Sequence, residues 1–290
     1  YFLGIRHLGA SIVRIGAGIP ELQWDSILSY HPTYLIAVPS FLLKLIEYAE
    51  KNGIDYCHSS VKGVVCIGET LRQQDFSPNL LTDKIMEKWP ELRLYSTYAS
   101  TEMSTTFTEC DAQQGGHHHP ELIIIEVLDD EGNTLPYGQL GELTITTLGV
   151  EGMPLLRFRT GDMVTLHDTP CSCGRNTLRV SPVVGRKQQM IKYKGTTLYP
   201  PALMDLLTEF AQVENYIIEI SSNEILTDEI LIKIGTCEPS EALKEEIANH
   251  FRAKMRVVPK IEFYPVDTIE QQLYPKGSRK PVKFIDRRGE

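Results

Sequence analysis

An α/β fold is predicted from three features of the sequence. Short apolar runs alternate with amphipathic segments over the first hundred residues, turn-punctuated alternation follows, and the last hundred residues read helix, strand, strand, helix, strand. Together they imply a parallel-rich sheet with helices on both faces plus a β-rich subdomain, then a small α+β C-terminal domain.

Taken in order, "SIVRIG" (11–16) is expected as a strand, and "LIAVPSFLLKLIEYAEKNG" (35–53) as a strand and a helix closed by Gly53 as its C-cap. "VKGVVCIG" (61–68) reads as a strand, "NLLTDKIMEKW" (79–89) as a helix and "LRLYSTY" (92–98) as a strand. Strand–helix–strand order means crossover units, and ligands of such sheets sit beyond the carboxyl ends of the strands. The "GET" of 68–70 and the "YASTE" of 98–102 fall there. From about Glu121 the texture becomes antiparallel β, with "DDEGN" and a Pro-Tyr-Gly loop as turns, continuing through "LLRFRTGDMVTLHD" (155–168). Beyond "VVGRKQQMIKYKG" (183–195), "PALMDLLTEF", "YIIEISS", "EILIKIG", "SEALKEEIANHFRAKM" and "KIEFYPV" build the C-terminal domain. The boundary is expected at 187/188, giving units of 1–187 and 188–290.

Composition narrows the function classes. A formal charge of −9 over 290 residues argues against a protein that mainly holds nucleic acid, which needs a broad basic face. No run of about 18 apolar residues and no signal peptide is present, so a cytoplasmic protein with no membrane partner is expected. The chain opens on Tyr1 and enters directly into patterned sequence, as expected of a piece that lacks its natural beginning. Of six cysteines, Cys57, Cys66 and Cys237 read as structural. Cys110, Cys171 and Cys173 are different: two form a C-x-C, and the third lies seven residues before His117. Three thiolates and an imidazole fit a closed tetrahedral zinc site, with His118 and His119 as competitors for His117.

Four stretches carry chemistry: "GET" (68–70), "YASTE" (98–102), "RFRTGD" (157–162) with "GRKQQMIKYKG" (185–195), and "PKGSRKPVKF" (275–284). Each alone could be a turn, but their order and spacing resemble the adenylate-forming superfamily of acyl-CoA synthetases, most closely its phenylacetate-CoA ligase branch. "LPYGQLGELTITTL", "MPLLRFRTGD", "PCSCGR" and "GTTLYPPALMDLL" extend the likeness over nearly the whole chain.

That resemblance implies an enzyme that joins a small-molecule carboxylic acid to AMP, releasing pyrophosphate, and passes the acyl group to coenzyme A. Its cofactors would be ATP/AMP, Mg²⁺ and coenzyme A, with a structural Zn²⁺ in members that carry the C…H…CxCGR pattern. Thr101 would donate to the α-phosphate, Glu102 would help hold Mg²⁺, and Lys280 would reach in during adenylation. Tyr98 and the Gly68-Glu69-Thr70 turn would flank the adenine, Asp162 would accept from the ribose hydroxyls, and Arg186 would serve the nucleotide. Gly195 would line the pantetheine tunnel, and the C-terminal domain would be a lid. Gln188 departs from the family pattern, which commonly has Asp or Lys at this hinge position. The superfamily's glycine- and serine-rich phosphate loop is absent, so these residues alone are expected to have weak or no activity. Phenylacetate is the default acid, and relatives that are often dimers leave room for a homodimer. Two other readings stay open: a degenerate module that binds AMP without ligating, and an adenylating enzyme whose acceptor is a protein or carrier thiol.

Overall fold

The computed structural model describes residues 1–16, 18–193, 196–222, 228–275 and 281–288. The chain begins with α1 (Phe2–His7) and α2 (Pro20–Tyr30), then β1 (Tyr34–Ala37), α3 (Pro39–Asn52), β2 (Gly63–Ile67), α4 (Leu80–Lys88) and β3 (Arg93–Ala99). The local signals for these elements are plain. In α3, Pro39 occupies the first turn and Leu42, Leu45, Ile46 and Ala49 fall on one buried stripe. Gly53 then ends the helix in the left-handed region at φ +68°. Asn79 caps α4 by accepting from the Thr82 amide. The stretch 11–16, expected as a strand, has no ladder partner among the described residues and is not one. Alternating side chains suffice for a strand only where a neighbour pairs its backbone groups.

Antiparallel structure follows: β4 (Thr106–Thr108), β5 (Gly116–His117), β6 (Ile123–Leu128), β7 (Leu140–Thr147), β8 (Phe158–His167), β9 (Arg179–Val180) and β10 (Gly185–Arg186). Among the described residues these strands and the first three form one sheet of order β1-β2-β3-β4-β5-β9-β8-β7-β6, with β10 on β8. β1, β2 and β3 pair in parallel, and every other pair in this sheet is antiparallel. A 3₁₀ turn at Lys187–Gln189 leads to β11 (Ile191–Tyr193) and β12 (Thr196–Leu198). Next come α5 (Pro200–Leu207), β13 (Asn215–Ser222), β14 (Asp228–Gly235), α6 (Glu241–Met255), β15 (Lys260–Tyr264), α7 (Val266–Leu273) and β16 (Phe284–Asp286). The second larger sheet runs β15-β14-β13-β16.

Each region has its own apolar core. Trp24, Leu42, Ile46, Val64, Ile85 and Trp89 pack around the parallel strands. Met103, Phe107, Ile123, Leu143, Ile145 and Val164 fill the antiparallel part. Ile218, Ile232, Leu243, Ile247 and Phe251 anchor the C-terminal unit. At about 1.5–3 kcal/mol for each large side chain removed from water, these cores hold the loops between them in place.

Candidate functional site

β3 delivers the principal loop. It pairs with β4 in an antiparallel hairpin, Tyr98 opposite Phe107 and Ala99 opposite Thr106. Thr101 and Glu102 therefore sit exposed at the hairpin tip, while Met103 between them and β4 is buried and pins the tip to the core. The Glu102 carboxyl is held below its usual pKa first by its own backbone N–H, then by the Ser100 hydroxyl and by the Arg186 charge. It is thus ionised at neutral pH, and an exposed carboxylate oxygen on a turn fits a hard cation such as Mg²⁺.

A second strand of the same sheet, β8, meets this hairpin. The Tyr98 hydroxyl donates to Asp162 Oδ2 at 2.7 Å, joining β3 to β8 across 64 residues of sequence. Burial, then the Asp162 charge, pushes the Tyr98 phenol far above its usual pKa, so it stays a donor. Its ring stacks on Phe107 at 5.9 Å between centroids. Arg186 lies opposite Asp162 in the β10–β8 pair, and its Nε is 3.4 Å from Asp162 Oδ1. The Asp162 carboxylate is thus held on one oxygen by the phenol and on the other by a guanidinium that remains largely exposed. β10 can lie here because Gly185 has no side chain: a Cβ would stand 2.8 Å from Tyr199 Cβ. A cleft of about 320 Å³ opens beside it, lined by Glu142, Arg159, Thr160, Gly161, Arg186, Lys187 and Gln188.

The turn after β2 is built for position. Gly68 adopts φ +78°, which a residue without Cβ takes at no steric cost. Glu69 accepts from the Ser40 amide and hydroxyl, both at 2.8 Å, so its carboxylate caps the N-terminus of α3. The Thr70 carbonyl accepts from Asn79 Nδ2. Hence the Glu69 side chain is engaged within the protein, and a ligand could meet the turn only through its remaining backbone groups. Gly195 and Lys280 lie outside the described residues.

A separate cluster joins Cys110, His117, Cys171 and Cys173, whose ligand atoms all lie within 4.8 Å of one another. Cys110 Sγ is 3.6 Å from Cys171 Sγ and 3.4 Å from His117 Nε2, which is 3.6 Å from Cys173 Sγ. A tetrahedral zinc with Zn–S of about 2.3 Å and Zn–N of about 2.0 Å separates its ligand atoms by roughly 3.5–3.8 Å, so this donor set fits one. His117 Nδ1 faces Thr177 Oγ1 at 3.5 Å, leaving Nε2 for the cluster. Burial lowers the His117 pKa and keeps its imidazole in the neutral form a metal requires. The two competing histidines point elsewhere: His118 Nε2 donates to the Ile123 carbonyl, and His119 is half-buried beside Glu121.

Sequence reasoning missed the most deeply buried ion pair near the site. Arg72 Nε meets Glu109 Oε1 at 2.9 Å, with both side chains almost wholly buried, and Glu109 Oε2 accepts from the Ser96 amide. Arg72 follows the Gly68–Thr70 turn and Glu109 precedes Cys110, so the pair ties both to β3. Nothing in "LRQQD" or "FTEC" marks it; a pattern of apolar residues around two charges would have been the signal.

The comparisons with known proteins agree with this architecture. The model of the AMP-binding enzyme family matches residues 2–152, more than half of the chain, and the chain belongs to that family. It is 28% identical to a phenylacetate-coenzyme A ligase of Thermus thermophilus, over 94% of this chain and 63% of the relative's length. Against the phenylacetate-coenzyme A ligase of Aromatoleum evansii it is 26% identical, over 98% and 64%. The chain thus spans a little under two thirds of these relatives. A 2-hydroxyisobutyryl-CoA ligase crystallised in the postadenylation state with 2-HIB-AMP shares the fold, with a TM-score of 0.77 at 21% identity over 98% of this chain and 61% of that one. In its thioesterification state, with 2-HIB-AMP and CoA, the same ligase overlays at 0.58 over 99% of this chain.

Proposed function

We propose that this chain is the nucleotide-binding and lid part of an AMP-forming acid-CoA ligase, with units of 1–187 and 188–290, acting on an aryl acid for which phenylacetate is the default. The observation that carries the reading is the Tyr98–Asp162–Arg186 constellation at the end of β3, with the exposed Thr101–Glu102 tip on the same hairpin. In it, Asp162 accepts from ribose hydroxyls while Tyr98 and Arg186 fix its two oxygens, and the backbone of the Gly68–Thr70 turn approaches the adenine. Thr101 donates to the α-phosphate, and Lys280 brings a point charge. Glu102 would hold a Mg²⁺ that offsets phosphate charge.

The chemistry balances in two steps. A carboxylate oxygen attacks the α-phosphorus of ATP, and pyrophosphate leaves. The coenzyme A sulfur then attacks the acyl carbon, losing its proton, and AMP leaves with the bonding pair. Both transition states gather negative charge on oxygens, which donors and cations at the hairpin tip stabilise. Support for the acid-CoA class comes from the phenylacetate-coenzyme A ligases named above. The Cys110–His117–Cys171–Cys173 set is read as a structural zinc site: four protein ligands leave no open position for substrate.

Pyrophosphate release tests this reading, with the protein carrying its complete adenylation domain, ATP, and a panel of aryl and short aliphatic acids. Release that depends on the acid and collapses in Lys280→Ala is expected. Tight AMP binding without release from any acid would replace the ligase with a nucleotide-binding module.

A further inference from the structure

The loops that carry the cysteine and histidine cluster have little regular backbone to hold them. The first, with Cys110, leads into β5 and His117, and β5 pairs with β4 at one position and with β9 at two. The second, with Cys171 and Cys173, runs from the end of β8 to the start of β9 with no strand or helix of its own. Ladders this short fix few backbone groups. Yet the four ligand atoms converge within 4.8 Å.

Arg179 on β9 lies between the two loops. It stands directly opposite His117 in the β5–β9 pair and opposite His167 in the β8–β9 pair. The residue is 5% exposed. Its Nη1 donates to the Gln114 carbonyl inside the first loop. Nη2 donates to the Thr169 carbonyl at 3.0 Å and to Thr169 Oγ1 at 2.7 Å, at the base of the second. One rigid guanidinium thus holds the backbone of both loops. Neighbouring side chains do less: Arg175 reaches Cys173 Sγ at 3.5 Å within its own loop, and Thr177 Oγ1 meets the His117 ring without touching either loop's backbone.

The partners of Arg179 are carbonyls and a hydroxyl, all neutral. A buried cation held by neutral acceptors alone is costly. A zinc ion with three thiolates and a neutral imidazole carries one net negative charge, and residues opposite each other on paired strands have Cβ atoms about 4.5–5.5 Å apart. From this arrangement we infer that Arg179 is the positioning residue of the metal centre, fastening the two ligand loops to one strand before metal binds and offsetting the charge of the bound centre. Loops ordered in advance spare the metal the cost of ordering them. The inference rests on the zinc reading of the cluster and is independent of the ligase reading.

Co²⁺ is the probe, since it takes the same tetrahedral donors and its absorption reports their geometry. The full protein, freed of metal under reducing conditions, is titrated with Co²⁺ against a competing chelator, and the bound Co²⁺ is then displaced with Zn²⁺. The parent should take up one Co²⁺ with the spectrum of a tetrahedral, thiolate-rich site. Arg179→Met should keep that spectrum, because no donor is lost, and bind both metals about tenfold or more weakly. Thr169→Val removes a single hydroxyl at an exposed position and should weaken both by about threefold; it decides the matter if Arg179→Met does not fold. Thermal melting adds a second readout. A residue that merely packs β9 would lower the midpoint equally with and without metal, whereas Arg179→Met should lower it more with metal bound. Equal metal affinities in the parent and the folded variants would overturn the inference and leave the zinc site standing. A parent that binds no Co²⁺ would remove the zinc reading, and the inference with it.

Discussion

Tyr98, Asp162 and Glu102 stand in short motifs that the sequence singles out, and the fold brings those motifs together. The hydrogen bond from Tyr98 to Asp162 does so across the sheet. Glu69 was harder. The resemblance put it in the turn beside the adenine, but its partner Ser40 is 29 residues away on another element, and no periodicity links them. Arg72 and Glu109 gave no signal at all, since a buried pair is recognised by what surrounds it; breaking such a pair costs about 3–5 kcal/mol. Buried histidines add a property that sequence cannot supply. Burial lowers the pKa of His118 and His167, so the unfolded chain takes up protons near the usual 6.5 before the folded chain does. The unfolded state then binds more protons, and stability falls as pH drops through that value. A urea midpoint that declines from pH 7 to pH 5.5 is the expected result; a flat profile across that window would contradict it.

Among the elements, α3, α4, β2 and β3 were legible because helix period and strand alternation, caps and Gly53 all agree. Isolated signals failed: 11–16 reads as a strand but has no ladder partner among the described residues, and β16 is a three-residue strand too short to show a pattern of its own. β16 forms through long-range parallel pairing with β13, which places Arg288 against the Gln188 and Met190 carbonyls. The Cys110–His117 and Cys171–Cys173 loops are a similar case, since four ligand atoms converge from segments about sixty residues apart. With a zinc in place they would be stapled together. We expect Cys173→Ser to lower bound zinc, read by elemental analysis, and chelation to depress the thermal midpoint by roughly 4–8 °C for a loss of about 2 kcal/mol. Equal zinc content in the variant and the parent would rule out this donor set.

For the whole molecule, fold class was the most legible level, because the change from crossover units to antiparallel pairs is written in the spacing of turns. Packing between distant parts was not. Lys84 of α4 donates to the Thr208 carbonyl at the end of α5, a contact between the two sheet systems that no local pattern foretells. No helix among the described residues is long and apolar enough to cross a membrane. On the proposed reading, β3, β8 and β10 together make a nucleotide site at Tyr98, Asp162 and Arg186. Calorimetric titration of AMP into the protein, beside Asp162→Ala, tests it most directly. One AMP per chain is expected, with a loss of affinity of about tenfold or more in the variant, in line with hydrogen bonds to a charged group. AMP binding of equal strength in both proteins would contradict it.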